Sequence, residues 1–267
     1  MNRNPAVAGK FYPADPQALT LEIQSHIQKT EKKIRVIGVV SPHAGFMYSG
    51  DVAGAVYSLI DIPETLIILG PNHTGAGPPV SLMARGVWSM PFGEVEIDSE
   101  LAAAVLQASP TVQEDENAHQ REHSLETQLP FIQYFRRDIK IVPICLQRLS
   151  LEECGQVSRA IVSAALQLKR PALIVASSDM SHYESHETAS RKDRQAIDQI
   201  LKRDARGLYE TVRQQEISMC GVNPVTVMLM ACNNLGARKS ELVKYMTSGE
   251  VSGDMDQVVG YAGMVVQ

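Results

Sequence analysis

The sequence predicts an α/β fold in which a central, mostly parallel sheet lies between two layers of helices. Short continuous apolar runs of strand length, such as residues 34–41 and 65–70, are typical of strands buried on both faces of a parallel sheet. Helical patterns separate these runs, and strands that alternate with helices indicate a parallel α/β sheet. Because no linker, repeat or low-complexity segment interrupts the 267 residues, we expect a single domain over residues 1–267.

Each element follows from its apolar pattern and length. Four continuous apolar runs predict buried strands, residues 258–266 predict a closing strand, and residues 242–247 predict a weaker one. The predicted strands are residues 34–41, 65–70, 139–146, 172–177, 242–247 and 258–266. The predicted helices are residues 16–29, 51–59, 99–107, 124–135, 151–168, 186–202, 205–213 and 223–235.

Composition excludes several classes of protein. Hydrophobic residues make up 44% of the chain and charged residues 21%, which is typical of a globular protein and not of a disordered one. A net charge of −5 and 5% aromatic residues argue against a nucleic-acid binder. No apolar run is long enough to span a membrane, and the first residues do not form a secretory signal. We therefore expect a cytoplasmic protein whose four cysteines, which form no CxxC pair, are reduced.

Histidines follow three of the predicted strands. His43 comes after the strand at 34–41, His73 after 65–70, and His182 after 172–177 together with Asp179. Because the carboxyl ends of parallel strands share one edge, these four side chains should converge on one cleft. Imidazole and carboxylate are the usual ligands of iron, copper and zinc. A single strand-end histidine is more often a hydrogen-bonding residue, and Asp179 alone could cap a helix, but three such histidines favour a site.

Cys220 precedes an apolar helix, and the helix dipole favours a thiolate at that position. The sequence therefore predicts a lowered pKa for Cys220 and a role as a metal ligand or reactive thiol. The alternative is a buried, inert cysteine, which is how we interpret Cys145 inside a predicted strand.

A further cluster lies at residues 122–126. His123 and Glu126 are three residues apart and can share one helix face, while Ser124 can cap the helix. His123 and Glu126 could form a wall of the site or belong to a simple capping motif, and the sequence does not decide between the two.

Several strings in this order resemble the Memo family over essentially the whole chain. They are residues 5–13 (PAVAGKFYP), 42–50 (PHAGFMYSG), 70–73 (GPNH), 122–126 (EHSLE), 177–182 (SSDMSH) and 220–221 (CG). The family is similar in fold to the class III extradiol dioxygenases, which are non-haem iron enzymes. Its prokaryotic members are called AmmeMemoRadiSam system protein B, which implies radical SAM and AMMECR-type protein partners.

The resemblance also implies roles for individual residues. His43 and His73 would be metal ligands, Cys220 would take the third ligand position, and His182 beside Asp179 would be the general acid/base. A thiolate in place of a carboxylate suits copper or zinc better than an oxygen-activating ferrous ion. Eukaryotic relatives are reported to bind copper or iron, so we expect iron or copper, or else zinc.

We therefore expect a metal-binding protein with redox activity of the dioxygenase-like type. The alternative is a non-catalytic module that uses the same cleft to recognise a peptide or protein partner. A zinc hydrolase is a third interpretation, since three protein ligands and a water are usual for catalytic zinc. The sequence does not indicate which small molecule would be the substrate.

Overall fold

The computed structural model describes residues 2–28, 30 and 32–267, and within them twelve strands form one sheet with helices packed against it. The strands are β1 (Asn2–Arg3), β2 (Gly38–Ser41), β3 (Thr65–Pro71), β4 (Val80–Leu82), β5 (Val87–Trp88), β6 (Val95–Ile97), β7 (Gln113–Glu114), β8 (Lys140–Leu146), β9 (Ala172–Ser177), β10 (His182–Glu184), β11 (Ser240–Thr247) and β12 (Val258–Val266). The α-helices are α1 (Pro16–His26), α2 (Phe46–Leu59), α3 (Ser99–Ala108), α4 (Asn117–Gln120), α5 (Leu129–Phe135), α6 (Leu151–Leu168), α7 (His186–Leu201), α8 (Ala205–Gln214), α9 (Val222–Asn234) and α10 (Gly249–Ser252). A 3₁₀ turn at Glu126–Gln128 precedes α5.

The centre of the sheet consists of four parallel strands in the order β8, β3, β9 and β2. Their carboxyl ends lie side by side, because Pro71 of β3 pairs with Leu146 of β8 and Ser41 of β2 pairs with Ser177 of β9. β12 adds antiparallel to β2, and β10 and β11 pair with β12. The loops that follow the four central strands therefore meet at one edge.

Helices cover both faces of this sheet. A Cβ atom on Gly38 of β2 would lie 2.6 Å from Cys232 and Met228 of α9, so α9 packs directly on one face. A Cβ atom on Gly263 of β12 would lie 2.5 Å from Val56 of α2, which covers the other face. The predicted layer arrangement of helices around a mostly parallel sheet is confirmed.

The long elements agree with their predictions, and the ends differ for local reasons. α6 has the predicted bounds and begins with a capping box, in which Ser150 accepts from the Glu153 amide and the Glu153 carboxylate accepts from Ser150. The predicted end of the first helix at Lys29 lies outside the described residues, and α1 ends at His26. β2 is shorter than predicted, since Ile34 forms only an isolated bridge.

Two helices begin four or more residues away from the predicted start. α2 begins at Phe46, five residues before the predicted start, with Gly45 as its N-cap. The predicted helix at 124–135 is helical as α5 only from Leu129, after the 3₁₀ turn. The two- and three-residue strands β4 to β7 were not predicted. None of the helices in the described part of the chain is long and apolar enough to cross a membrane.

Candidate metal centre

Two strand ends deliver histidines to the shared edge of the sheet. β2 ends at Ser41, and His43 follows after one residue; β3 ends at Pro71, and His73 follows in the same way. β9 lies between these two strands and ends at Ser177. The parallel order of β3, β9 and β2 therefore brings His43 and His73 together across β9.

A third histidine joins them. One ring nitrogen each of His43, His73 and His123 lies within 4.8 Å of the other two, and we call these residues the three-histidine group. The ring centroids are 5.3 Å apart for His43 and His73, 5.5 Å for His43 and His123, and 4.7 Å for His73 and His123. His43 is buried, His123 is partly buried and His73 is exposed. The group thus opens toward solvent on the side of His73.

The hydrogen bonds around His43 determine its tautomer. Ser177 Oγ donates its single proton to the carbonyl oxygen of Ser124 at 2.6 Å. Gln128 Nε2 donates both to the Pro42 carbonyl oxygen and to Ser177 Oγ, each at 2.9 Å. Ser177 Oγ can therefore only accept from His43 Nδ1, which lies 2.8 Å away. Nδ1 carries the proton, and the lone pair of His43 Nε2 is free to bind a metal.

Burial, followed by the charges of His123 and His73, holds the pKa of His43 well below its ordinary value. The ring is therefore neutral at physiological pH, which is the form that binds metals.

Glu122 orients His73 in a similar way. Its Oε1 accepts from His73 Nδ1 at 2.9 Å and its Oε2 accepts from the His73 amide at 2.6 Å, so His73 Nε2 is the nitrogen left free. Burial opposes ionisation of this fully buried carboxyl, but the hydrogen bond and charge of His73 outweigh it and lower the pKa of Glu122 to about 2. A carboxylate that accepts from the second nitrogen of a histidine is the common outer support of metal-binding histidines.

His123 is held by packing. Its ring stacks on His73 at an interplanar angle of 18° and meets the edge of Phe11 at 4.9 Å. Burial, more than the charge of His73, lowers the pKa of His123, while Glu122 acts in the opposite direction. Of the two interpretations of residues 122–126, His123 fits a site wall.

The other residues of that segment have structural roles. Ser124 does not cap a helix, since its hydroxyl donates to the carbonyl oxygen of Pro71. Glu126 is not part of the three-histidine group, and its carboxylate accepts from Tyr12 Oη at 2.6 Å and from the amides of Ala6 and Val7. It anchors the N-terminal segment.

Cys220 lies next to the three-histidine group but does not belong to it. Its Sγ is 3.3 Å from His43 Nε2 and accepts from the Asp179 amide at 3.3 Å. The prediction of a lowered pKa is wrong for the metal-free protein, because burial and then the charge of Asp179 raise the pKa of the Cys220 thiol. α9 begins only at Val222, and the loss of hydration outweighs the helix dipole.

Asp179 supports the His43 loop. Its Oδ1 accepts from the His43 amide at 2.8 Å, and its Oδ2 lies 3.8 Å from His43 Nε2. Burial raises the pKa of this carboxyl, and the hydrogen bond from His43 opposes the rise. The carboxylate therefore faces the same ring nitrogen as the Cys220 thiol.

His182 lies outside the three-histidine group, at the start of β10. Its Nδ1 donates to the Ser218 carbonyl oxygen at 3.0 Å, and its amide donates to Ser218 Oγ at 2.7 Å. Within the described residues no hydrogen bond joins His182 to Asp179, so Ser218 and not Asp179 orients the ring. Its Nε2 stays available to a proton donor or acceptor.

A cleft of about 810 Å³ adjoins the centre on its open side. His73 and Cys220 line one part of it, and we call it the strand-end cleft. Its volume falls in the range of small-molecule sites, which is roughly 300–1,000 Å³. A ligand in this cleft would lie directly beside the three-histidine group.

A buried arginine fixes the segment that carries His123. Arg3 forms an ion pair with Glu126 at 2.7 Å, and both side chains are fully buried. It also donates to the carbonyl oxygens of His119 at 2.6 Å and Glu122 at 2.7 Å, and its guanidinium stacks over Trp88. The N-terminal strand thereby holds both ends of the segment that contains Glu122 and His123.

Comparison with known proteins agrees with this architecture. The family model described as "Memo-like protein" matches residues 3–265. A MEMO1 family protein of Methanopyrus kandleri is 44% identical over 279 residues, covering 99% of each chain. A MEMO1 family protein of Methanosarcina mazei is 44% identical over 267 residues, also covering 99% of each chain.

The fold also has a counterpart among solved structures. An uncharacterized protein of Escherichia coli K12 superimposes with a TM-score of 0.58 at 13% identity, covering 86% of this chain and 100% of that one. This likeness concerns the fold alone, and with the sheet topology it confirms the predicted α/β fold of helices around a mostly parallel sheet. The match over residues 3–265 and the two relatives at 44% identity place the chain in the Memo family.

Proposed function

We propose that this protein binds one transition metal ion through His43, His73 and His123, with the Cys220 thiolate as a further ligand. The observation that carries the proposal is that three histidine nitrogens lie within 4.8 Å of one another. Nδ1 of His43 donates to Ser177 and Nδ1 of His73 donates to Glu122, so Nε2 of each ring carries the lone pair that can bind a metal.

The donor set favours copper over iron. Neutral imidazoles and a thiolate suit copper or zinc, whereas oxygen-activating ferrous sites use two histidines and a carboxylate. Because the pKa of the Cys220 thiol is raised, this residue must lose its proton on metal binding. A bound copper ion would supply one-electron redox chemistry at this edge of the sheet.

We assign the acid/base role to His182. Its Nδ1 is committed to Ser218, which leaves Nε2 to take or give a proton. Asp179 is buried beside His43 and lies in the same loop between β9 and β10 as the residues that lead to His182.

A non-catalytic binding module is the second candidate. The strand-end cleft favours it, since a cavity of about 810 Å³ can hold a ligand without any reaction. The two candidates differ in one measurable property, which is the number of metal ions bound per chain.

The deciding experiment is metal analysis of untagged protein purified without chelator, followed by titration with Cu(I), Fe(II) and Zn(II). We expect one ion per chain, with copper bound most tightly. His43→Ala/His73→Ala should lose the ion, and His123→Ala and Cys220→Ala should each bind it more weakly. His186→Ala is the matched control, because this histidine bonds Thr247 and lies outside the group. Equal binding by the double variant and the parent would refute the ligand assignment.

Cys220 can be tested separately by alkylation, with the labelled peptide identified by mass spectrometry. The raised pKa predicts slow alkylation of the metal-free protein near neutral pH. At a higher pH, where the thiolate forms, added metal should protect the sulfur. Equal labelling with and without metal would remove Cys220 from the ligand set.

A further inference from the structure

The fourth central strand also delivers a charged side chain to the shared edge. β8 ends at Leu146, next to the end of β3, and Arg148 follows two residues later. Arg148 lines the strand-end cleft, as does Arg213 from α8. The cleft therefore extends from His73 and Cys220 at the candidate metal centre to two guanidinium groups.

Three neutral polar side chains of this cleft already form hydrogen bonds with the backbone of the surrounding loops. Asn72 Oδ1 accepts from the amides of Thr74 and Gly75, and its Nδ2 donates to a carbonyl oxygen at 2.7 Å. Gln147 Nε2 donates to a carbonyl oxygen at 3.1 Å, and Asn223 Nδ2 donates to the Gln147 carbonyl oxygen at 2.8 Å. These groups stabilise the walls and leave few neutral donors for a ligand.

Arg148 and Arg213 both keep N–H groups that form no hydrogen bond within the described structure. Arg148 is exposed and forms no hydrogen bond or ion pair with any residue that the structure describes. Arg213 donates from Nη2 to the Leu149 carbonyl oxygen at 3.3 Å and stacks over Tyr209, which orients its guanidinium while leaving other N–H groups free. Glu216 also lines the cleft but forms no ion pair with either arginine within the described part of the chain. These three side chains leave a net positive charge.

Apolar side chains form a further part of the lining. Leu146, Val212, Ile217, Met219 and Val222 contribute to it. A ligand that matches this surface has an apolar body and one anionic group, because guanidinium binds carboxylate and phosphate oxygens with paired hydrogen bonds.

We propose that the strand-end cleft binds a small amphiphilic anion, whose carboxylate or phosphate contacts Arg148 and Arg213 and whose apolar body extends toward His73 and Cys220. This inference rests on the proposed function in one respect only, namely that the anion is the substrate of the metal centre. The binding step itself requires the arginines and not the metal.

The test is calorimetric titration of the purified protein with three probes of the same apolar body: 2-naphthoate, 2-naphthyl phosphate and the neutral 2-naphthalenemethanol. We expect at least one anionic probe to bind ten times or more tightly than the alcohol, and the affinity to fall as salt is raised. The ratio between naphthoate and naphthyl phosphate identifies carboxylate or phosphate as the source of the anionic group.

Variants locate the binding group. Arg148→Gln and Arg213→Gln should each weaken binding of the preferred anion about tenfold, with little effect on the alcohol. Arg206→Gln is the matched control, because Arg206 lies on the same helix α8, pairs with Glu210 and does not line the cleft. Arg148 has no partner in the described structure, so its replacement should leave the melting temperature unchanged even if Arg213→Gln destabilises α8.

The outcomes separate this proposal from the metal proposal. Metal content is measured on every variant, and it should not change in Arg148→Gln. Anion binding that persists in His43→Ala/His73→Ala supports the cleft independently of the ion. If the anionic probes bind no better than the alcohol, or bind equally well to the double variant Arg148→Gln/Arg213→Gln, the cleft proposal is overturned while the metal proposal stands.

Discussion

Glu122→Gln should weaken metal binding without removing a single proposed ligand. In the parent, Glu122 Oε1 accepts from His73 Nδ1 and from the Ser124 amide, each at 2.9 Å, and Oε2 accepts from the His73 amide at 2.6 Å. A glutamine offers one oxygen and one NH₂ group in the same volume. Whichever way the amide is turned, its NH₂ group faces at least one N–H group that has lost its acceptor.

The magnitude follows from these contacts. With the amide oxygen in the Oε1 position, two hydrogen bonds survive and the partly buried amide of His73 is left without its acceptor, which costs about 1 kcal/mol of the free energy of unfolding. The variant also loses the negative charge that fixes His73 Nδ1 as the protonated nitrogen. Loss of such an outer partner typically lowers metal affinity 10- to 100-fold, or about 1.4–2.7 kcal/mol.

Competition titration with a chromophoric chelator measures this affinity, and denaturant unfolding measures the stability of the metal-free protein. Glu114→Gln is the control, because this glutamate is exposed and pairs with Arg85 far from the histidines. A Glu122→Gln protein that remains folded and binds copper as tightly as the parent would show that the Glu122–His73 pair does not support a metal ligand.

Two further predictions concern the buried network behind the centre. Burial, then the charge of Arg3, lowers the pKa of fully buried His119 from 6.5 to about 4. Between these two pH values the unfolded chain binds a proton at His119 and the folded protein does not, so this residue should lower the free energy of unfolding by about 3 kcal/mol as pH decreases from 6.5 to 4. His119→Gln should remove that part of the pH dependence. Parallel plots of the free energy of unfolding against pH for the variant and the parent would contradict this prediction. Arg3→Met leaves Glu126 buried without its cation and should cost about 3–5 kcal/mol in denaturant unfolding, whereas Arg3→Met/Glu126→Gln should recover part of the loss; an equally unstable double variant would contradict this account.

The sequence predicts those parts of the fold that are long and buried on both faces. β3, β8, β9 and β12 are continuous apolar runs because α-helices cover each face of the sheet, and their bounds agree with the prediction within one or two residues. β4 exists because its three residues pair with Cys145 and its neighbours in β8. So short a strand has no pattern of its own, and its pairing is invisible until the sheet is assembled.

The residues of the site likewise divide into those whose position the sequence predicts and those whose position it does not. His43 and His73 follow strands that are buried along their whole length, so their position can be inferred from the strand order. His123 follows no strand, and it reaches the group because Arg3 and Glu122, separated by 119 residues, hold its segment against β3. The local rule at Cys220 failed for a related reason, because burial and Asp179 decide the pKa of this thiol.

Arg148 lies at a strand end that carries no histidine, and a search for metal ligands alone does not find it. β8 pairs in parallel with β3, so its carboxyl end lies at the same edge of the sheet and Arg148 reaches that edge as His73 does. Selecting strand ends by histidine finds metal ligands, but it passes over a guanidinium that binds no metal. Strand-end position alone predicts both groups, because ligands of α/β sheets bind outside the carboxyl ends of the parallel strands. The residue type then separates the groups that would hold a metal from those that would hold the anion beside it.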